Sequence, residues 1–138
     1  MPKKRIFIAD DQEDVLALLK DFLTNHDLEV MVLKEPKNIL AAIIAFKPDL
    51  ILLDLLMPDL GGFEICEILN KNLSTREIPI IIISGFGNLV DIKKAYALGA
   101  VGYFVKPFSL ADLFSKIIKT INNKEAKLWD NATQHSKY

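Results

Sequence analysis

A short apolar run is the feature that most constrains the fold of this chain. Residues 50–53 are Leu-Ile-Leu-Leu, and the run ends abruptly in Asp54, with Pro48 before it and Pro58 after it. A short run of aliphatic residues between two breakers is typical of a strand buried on both faces of a parallel sheet. Ligands of open parallel sheets bind outside the carboxyl ends of the strands, so Asp54 occupies a position where functional groups are expected.

Four other segments have the character of strands, and helical patterns alternate with them. The predicted strands, besides the central run, are residues 6–9, 29–33, 78–83 and 102–105. Five strands alternating with five helices predict an α/β domain with a parallel sheet and right-handed crossovers. The carboxyl ends of the strands then share one edge. The polar residues predicted at that edge are Asp10, Asp11, Asp54, Ser84 and Lys106.

Composition narrows the class of protein. The 138 residues carry a formal net charge of -1, which gives no support for direct nucleic-acid binding by this domain. The single cysteine, Cys66, cannot form an internal disulfide and fits a reducing compartment. The sequence has no signal-peptide pattern and no apolar stretch near the roughly 18 residues that a membrane span requires. We therefore expect a soluble cytoplasmic protein that does not bind membranes.

The predicted edge combines three carboxylates, one lysine and one hydroxyl. Three negative charges close together repel each other, and one divalent cation with the Lys106 ammonium would neutralise them. Hard oxygen ligands favour Mg²⁺. A carboxylate beside Mg²⁺ and a lysine is an arrangement suited to phosphoryl transfer. Asp54 is the best candidate nucleophile because it is central, and Ser84 could donate a hydrogen bond to a phosphoryl oxygen.

Four motifs at these strand ends together resemble the receiver domain of two-component response regulators. They are Asp10-Asp11, the segment 54–62 (Asp-Leu-Leu-Met-Pro-Asp-Leu-Gly-Gly), Ser84-Gly85, and the segment 102–108 (Gly-Tyr-Phe-Val-Lys-Pro-Phe). Each motif alone is weak, but all of them in order at strand ends are very specific. The resemblance covers roughly residues 4 to 122. It implies a flavodoxin-like (βα)5 fold, a doubly wound sheet of five parallel strands in the order 2-1-3-4-5.

The resemblance also implies roles for individual residues. Asp54 would accept a phosphoryl group from a sensor histidine kinase or a histidine phosphotransfer protein. Asp11, Asp54 and the backbone carbonyl of Leu56 would hold Mg²⁺, with Asp10 acting mostly through water. Lys106 would pair first with Asp54 and then with the phosphoryl group, and the bond from Lys106 to Pro107 is expected to be cis.

The same resemblance implies a switch rather than an enzyme with turnover. Ser84 would move toward the phosphoryl group and Tyr103 would turn inward behind it. The surface formed by the fourth helix, the last strand and the last helix would then change its partners, which are a downstream effector protein or an output domain. Whether phosphorylation drives formation of a homodimer stays open.

Plainer interpretations of the same residues remain. Asp10 and Asp11 could be a solvated strand end and a helix cap, and Ser84 could be an ordinary turn residue. Tyr103 could pack on the last helix, and Lys106 could be a surface lysine. The convergence of Asp10, Asp11, Asp54 and Lys106 at one edge favours the site over these alternatives.

Three rival functions deserve comparison. A flavin-binding protein of this fold would need a phosphate cradle rich in Gly, Ser and Thr after the first strand, where this chain has acidic residues. A haloacid-dehalogenase-type phosphatase would need an acid two residues after Asp54, where Leu56 stands. An interaction module of the same fold that is never phosphorylated is the more serious rival. The intact set of acidic residues, Ser84 and Lys106 argues against it.

Two further expectations concern lifetime and domain limits. Leu56 and Phe86 lie two residues after Asp54 and Ser84, where polar side chains could orient a hydrolytic water, so we predict slow self-dephosphorylation. We expect residues 1–122 to form the receiver domain. Residues 123–138 would be a C-terminal tail, the start of a linker, or a continuation of the last helix.

Overall fold

The sheet has the predicted order and direction. A computed structural model of the chain describes the backbone of residues 2–57 and 61–135, and the side chains as far as residue 124. Residues 58–60, which belong to one of the motifs above, lie outside the described residues. The strands are β1 Arg5–Ala9, β2 Glu29–Leu33, β3 Leu50–Asp54, β4 Ile80–Ser84 and β5 Gly102–Val105. They form one parallel sheet in the order β2-β1-β3-β4-β5, which confirms the predicted flavodoxin-like topology.

Burial of the strands follows their place in the sheet. Every residue of β3 and of β4 is buried, as the unbroken apolar runs predict for strands covered on both faces. In contrast, β2 pairs only with β1 and is partly exposed along its whole length, which agrees with its predicted place at an edge. The chain goes from β1 outward to β2 and then returns to β3 on the other side of β1. The carboxyl ends of β1 and β3 therefore flank the point where the strand order reverses.

The helices of the first part of the chain alternate with these strands. They are α1 Glu13–Asn25, α2 Ile39–Phe46, α3 Gly62–Lys71 and α4 Leu89–Ala97. The thiol of Cys66 in α3 is fully buried, and burial raises its pKa to about 12. A thiol in this state is protonated and unreactive at neutral pH, so Cys66 acts as a small packing residue.

The chain divides into two units, Met1–Phe108 and Ser109–Tyr138. The sheet and the first four helices lie in the first unit. The second unit contains α5, Leu110–His135, whose first turn is capped by the Ser109 hydroxyl accepting a hydrogen bond from the Asp112 N–H. The helix continues without a break past residue 122, where the apolar stripe in the sequence ends. Within the part of the chain that the structure describes, no helix has the length and apolar character needed to cross a membrane.

Candidate functional site

Three adjacent strands end in the same local structure. The side chain at or just after the end of β1, β3 and β4 accepts a hydrogen bond from the backbone N–H two residues later. The pairs are Asp10 with Gln12 at 2.9 Å, Asp54 with Leu56 at 3.1 Å, and Ser84 with Phe86 at 3.1 Å. These turns end each strand while fixing its last polar side chain. As a result, three buried polar groups lie side by side at the carboxyl edge.

Lys106 joins two of these groups. Its ammonium donates hydrogen bonds to Asp10 Oδ2 at 2.7 Å, to Gln12 Oε1 at 2.7 Å and to Asp54 Oδ2 at 3.2 Å. The backbone N–H of Lys106 donates to the Ser84 carbonyl at 2.7 Å, which continues the pairing of β5 with β4 and aims the side chain at the edge. The peptide bond from Lys106 to Pro107 is cis. The three acceptors around Lys106 Nζ account for all three protons of the ammonium.

The acidic residues form a cluster with an excess of negative charge. Carboxylate oxygens of Asp10, Asp11 and Asp54 all lie within 4.8 Å of one another, and Asp11 is the most exposed of the three. Lys106 balances only one of the three charges. Several hard oxygen donors at this spacing fit a divalent cation such as Mg²⁺, which retains some of its waters and needs only one or two carboxylates as direct ligands.

The environment shifts the pKa of the central carboxylate. Burial is the largest cause and raises the pKa of Asp54 to about 6, with the charge of Asp10 acting in the same direction. The hydrogen bond from the Leu56 N–H and the charge of Lys106 act against this rise. Burial also acts to lower the pKa of Lys106, but the hydrogen bond and charge of Asp10 raise it above its usual value. Lys106 is therefore a permanent cation at neutral pH.

Ser84 and Tyr103 meet at the loop between β4 and α4. The Tyr103 hydroxyl donates a hydrogen bond to the Phe86 carbonyl at 2.6 Å, and the ring packs against the core. Burial, as the largest cause, raises the pKa of this hydroxyl above its usual value. Phe86 also donates its N–H to the Ser84 hydroxyl, so one residue links the two predicted switch residues through its backbone. A movement of Ser84 would therefore act on the carbonyl that holds Tyr103.

Apolar side chains follow Asp54 and Ser84, and the backbone of Gly62 packs tightly against the end of β3. Leu56 and Phe86, two residues after Asp54 and Ser84, are 48% and 40% exposed. Both side chains are apolar, so neither can form a hydrogen bond with water. Gly62 donates its N–H to the Leu55 carbonyl at 3.1 Å. A Cβ atom on Gly62 would lie 2.5 Å from Leu55 Cα and 2.6 Å from the Asp54 carbonyl oxygen. The first residue of α3 can therefore lie this close to the end of β3 only if it is glycine.

The structure brings together all the residues that the sequence placed at this edge, and it adds one. Asp10, Asp54 and Lys106 are in direct contact, Asp11 lies beside them, and Ser84 ends the neighbouring strand. The sequence did not lead us to predict Gln12 as a site residue, because it stands within the acidic segment 10–14 after the first strand. A long polar side chain directly after an acidic pair was the available signal.

Comparisons with known proteins agree with this geometry. Residues 6–118 match the family model described as the response regulator receiver domain. The solved structure of a response regulator receiver domain protein (CheY-like) from Methanospirillum hungatei JF-1 superposes with a TM-score of 0.85 at 28% identity, over 91% of this chain and 99% of that one. A two-component response regulator from Clostridium difficile shares the fold, with a TM-score of 0.81 at 23% identity, over 87% of this chain and 97% of that one.

Curated relatives are longer proteins. The chain is 32% identical over 122 residues to a "Probable cyclic di-GMP phosphodiesterase" of Vibrio cholerae, covering 88% of this chain and 27% of that protein. It is 32% identical over 123 residues to a "Probable transcriptional regulator ycf27" of Cyanophora paradoxa, covering 89% of this chain and 50% of that protein. The chain thus spans half or less of the length of these two relatives. Their names describe whole proteins, of which only one part is similar to this chain.

Proposed function

The chain belongs to the response regulator receiver domain family, and we propose that it accepts a phosphoryl group on Asp54 in a two-component phosphorelay. The main support is the convergence of Asp10, Asp11 and Asp54 with the Lys106 ammonium at the carboxyl edge of the sheet. A central carboxylate that is buried, charged at neutral pH and flanked by a cation has the properties of an aspartyl nucleophile. The excess negative charge beside it supports a requirement for a divalent metal.

In this proposal a carboxylate oxygen of Asp54 attacks the phosphorus of a phosphohistidine in line with the bond to the imidazole nitrogen. The P–N bond breaks, the electron pair stays on that nitrogen, and an aspartyl phosphate forms. Lys106 stabilises the negative charge that spreads over the transferred oxygens, and the Ser84 hydroxyl donates to one of them. Asp11, Asp54 and the Leu56 carbonyl would hold Mg²⁺, with Asp10 acting through water. When bound, the metal would supply further stabilisation of that charge.

The proposed output is a change of surface rather than turnover of a substrate. A phosphoryl group adds about -1.5 to -2 charges and three strong acceptor oxygens. Ser84 would bond to one of these oxygens, and its link through Phe86 to Tyr103 would carry the change to the surface of α4 and β5. The donor would be a sensor histidine kinase or a histidine phosphotransfer protein. The receiver of the signal would be a downstream effector protein or an output domain.

We also propose that residues 1–122 form the receiver domain and that residues 123–138 belong to a tail or linker. The continuation of α5 to His135 supports a helical form of this segment.

Intact mass spectrometry tests the proposed function. The protein is incubated with Mg²⁺ and a small acyl-phosphate donor, with Asp54→Asn as the matched variant. We expect a gain of one phosphoryl group in the wild type and none in the variant or in the presence of a chelator. Equal gains in the wild type and in Asp54→Asn would contradict the proposal. No gain with the small donor, with a cognate kinase or with a phosphotransfer protein would favour an interaction module that is never phosphorylated.

A further inference from the structure

Lys106 is held more closely by the loop after β1 than by the phosphoryl acceptor. The ammonium lies 2.7 Å from both Asp10 Oδ2 and Gln12 Oε1, but 3.2 Å from Asp54 Oδ2. The first two acceptors are adjacent in sequence to the end of β1, and the third ends β3. The unequal distances indicate that two of the three ammonium protons are fixed by one loop and the third is more loosely engaged.

The Gln12 side chain has no role in holding its own helix. Gln12 is the N-cap residue of α1, yet its side chain makes no capping hydrogen bond, and its backbone N–H donates to Asp10 Oδ1. Its amide oxygen is instead directed to Lys106. The backbone bond to Asp10 also fixes the position of Gln12 relative to that carboxylate. Asp10 and Gln12 thus form a preassembled pair of acceptors for one cation.

Asp10 and Gln12, the two acceptors at 2.7 Å from the Lys106 ammonium, differ in burial and charge. Asp10 is a fully buried carboxylate, and losing its cation would leave an uncompensated buried charge. Gln12 is exposed and neutral, so it adds a directional bond without adding charge to an already negative site. A neutral acceptor can orient the ammonium without competing strongly for the metal. Gln12 is therefore suited to position the Lys106 ammonium without being a ligand of the divalent cation.

We propose that Gln12 is a positioning residue that aims Lys106 at the phosphoryl group. Asp10 and Gln12 each accept one proton of the ammonium, so the third proton points toward Asp54. The hydrogen bond from this third proton can shift from Asp54 to a phosphoryl oxygen as the aspartyl phosphate forms. Without Gln12 the ammonium rotates about its contact with Asp10 and meets the developing charge less often. This inference rests on the proposed function, but its structural part, the anchoring of the ammonium, can be measured separately.

Two variants separate the amide oxygen from the size of the side chain. Gln12→Met keeps nearly the same length and removes the hydrogen-bond acceptor, whereas Gln12→Glu keeps an acceptor at the same place. The first readout is the ¹H–¹⁵N signal of the Lys106 ammonium in the unphosphorylated, metal-free protein, assigned with Lys106→Arg. The Lys106 side chain is only 15% exposed, and an ammonium whose three protons are all hydrogen-bonded exchanges with water more slowly than a free one. We expect the signal in the wild type and in Gln12→Glu, and its loss in Gln12→Met.

The second readout is the rate of phosphorylation by a small acyl phosphate at saturating Mg²⁺. We expect Gln12→Met to lower the maximal rate roughly tenfold, less than the ~100-fold that a misplacement of about 1 Å can cost. The half-saturating Mg²⁺ concentration should stay within about twofold in Gln12→Met, and Gln12→Glu should recover most of the maximal rate, although its added charge changes the Mg²⁺ dependence. Thermal stability should change little in both variants, because the Gln12 side chain is exposed and does not cap α1.

Two results would overturn the inference. In one, Gln12→Met keeps both the ammonium signal and the wild-type maximal rate. In the other, Gln12→Met and Gln12→Glu lose the rate equally, which would make the acceptor oxygen irrelevant. Failure of the wild type to accept any phosphoryl group would be a different outcome. It would reject the proposed function and with it the role in phosphoryl transfer, while the ammonium spectra would still decide whether Gln12 anchors Lys106.

Discussion

The two ends of β1 each hold a cation among acidic groups, but only one end has the properties of a site. At the amino end, the Arg5 guanidinium lies 4.1 Å from the centre of the Phe46 ring, and its Nε lies 3.2 Å from a Glu29 oxygen. The Arg5 backbone N–H also donates to Asp49. At the carboxyl end, Lys106 contacts Asp10 and Asp54. Both clusters use a strand end, a neighbouring strand and a basic side chain.

Burial and charge balance separate the two clusters. The exposed fractions are 34% for the Arg5 side chain and 52% for Glu29, against 15% for Lys106 and 0% for Asp10. The Glu29 carboxylate is half exposed, so water weakens its pairing with Arg5 and the pair contributes little to stability. Water has much less access to the pair at the carboxyl end, where one ammonium also stands against a cluster of three carboxylates. Excess negative charge at a largely buried edge suits a divalent cation, which together with Lys106 would offset the charge of a phosphoryl group.

The largest expected difference between the two ends follows from removing each cation. Lys106→Met should lower the free energy of unfolding by about 3–5 kcal/mol in metal-free buffer, because it leaves Asp10 and Asp54 buried without a cation. Arg5→Met, the matched variant, should cost about 1–2 kcal/mol through the lost ring contact and exposed ion pair. Urea denaturation measures both. Equal losses would remove the distinction between the two ends.

A smaller effect of opposite sign is expected at Asp54. Burial raises its pKa from 3.8 to about 6, so its protonated form favours the folded state. That contribution is complete below the unfolded pKa and is lost as the pH rises through about 6. At pH 8 the charged carboxylate therefore costs stability, and Asp54→Asn should raise the free energy of unfolding by up to about 3 kcal/mol without metal.

The control for Asp54→Asn is the same pair of proteins at pH 4. There the carboxyl group is mostly protonated in the folded protein, so the gain should shrink toward zero. Denaturant titrations at both pH values, with a chelator present, would show this. A gain of the same size at pH 4 and pH 8 would mean that burial of the charge is not its cause.

The apolar side chains of Leu56 and Phe86 predict a long-lived phosphoryl group on Asp54. Leu56→Asn places an amide where it can orient a hydrolytic water, and we expect it to shorten the lifetime roughly tenfold, below the factor of about 100 from a positioned general base. Leu73→Asn, an exposed leucine away from the site, is the matched control and should leave the lifetime unchanged. Loss of the phosphoryl group is followed by intact mass after the donor is removed. A wild-type lifetime of seconds would count against the idea.

The smallest effect is expected at the amino end. Glu29→Gln removes the exposed partner of Arg5 and should change the free energy of unfolding by less than about 1 kcal/mol. The rate of phosphorylation should not change, because Glu29 begins β2 at the end of the sheet opposite to Asp54. Stopped-flow or quenched mass spectrometry measures that rate. A clear loss of phosphorylation in this variant would link the two ends and undo the comparison.

The sheet and most of the site could be predicted because both follow from patterns along the chain. The buried runs that end at Asp54 and Ser84 identify β3 and β4, and parallel strands must share an edge. Three strand ends with polar residues then predict a convergence before any distance is known. The same logic predicts that Lys106, after the last strand, reaches this edge.

The details that could not be predicted depend on contacts between distant residues and on backbone atoms. Gln12 and Lys106 are 94 positions apart, and their contact depends on the conformations of two long side chains. Tyr103 bonds to a carbonyl, and the sequence does not show which backbone atom will be free to accept it. The length of α5 was left open because residues after 122 lack the apolar stripe that marks the earlier turns.

The most direct test of the central claim is to locate the phosphoryl group. The protein is phosphorylated with Mg²⁺ and a small acyl phosphate, reduced with borohydride, which converts an aspartyl phosphate to homoserine, and then sequenced by tandem mass spectrometry. We predict homoserine at position 54 and at no other carboxylate, including Asp10, Asp11 and the amino-end Asp49. Homoserine at one of those positions, or none in protein that has gained a phosphoryl group, would contradict the assignment of the carboxyl end as the acceptor site.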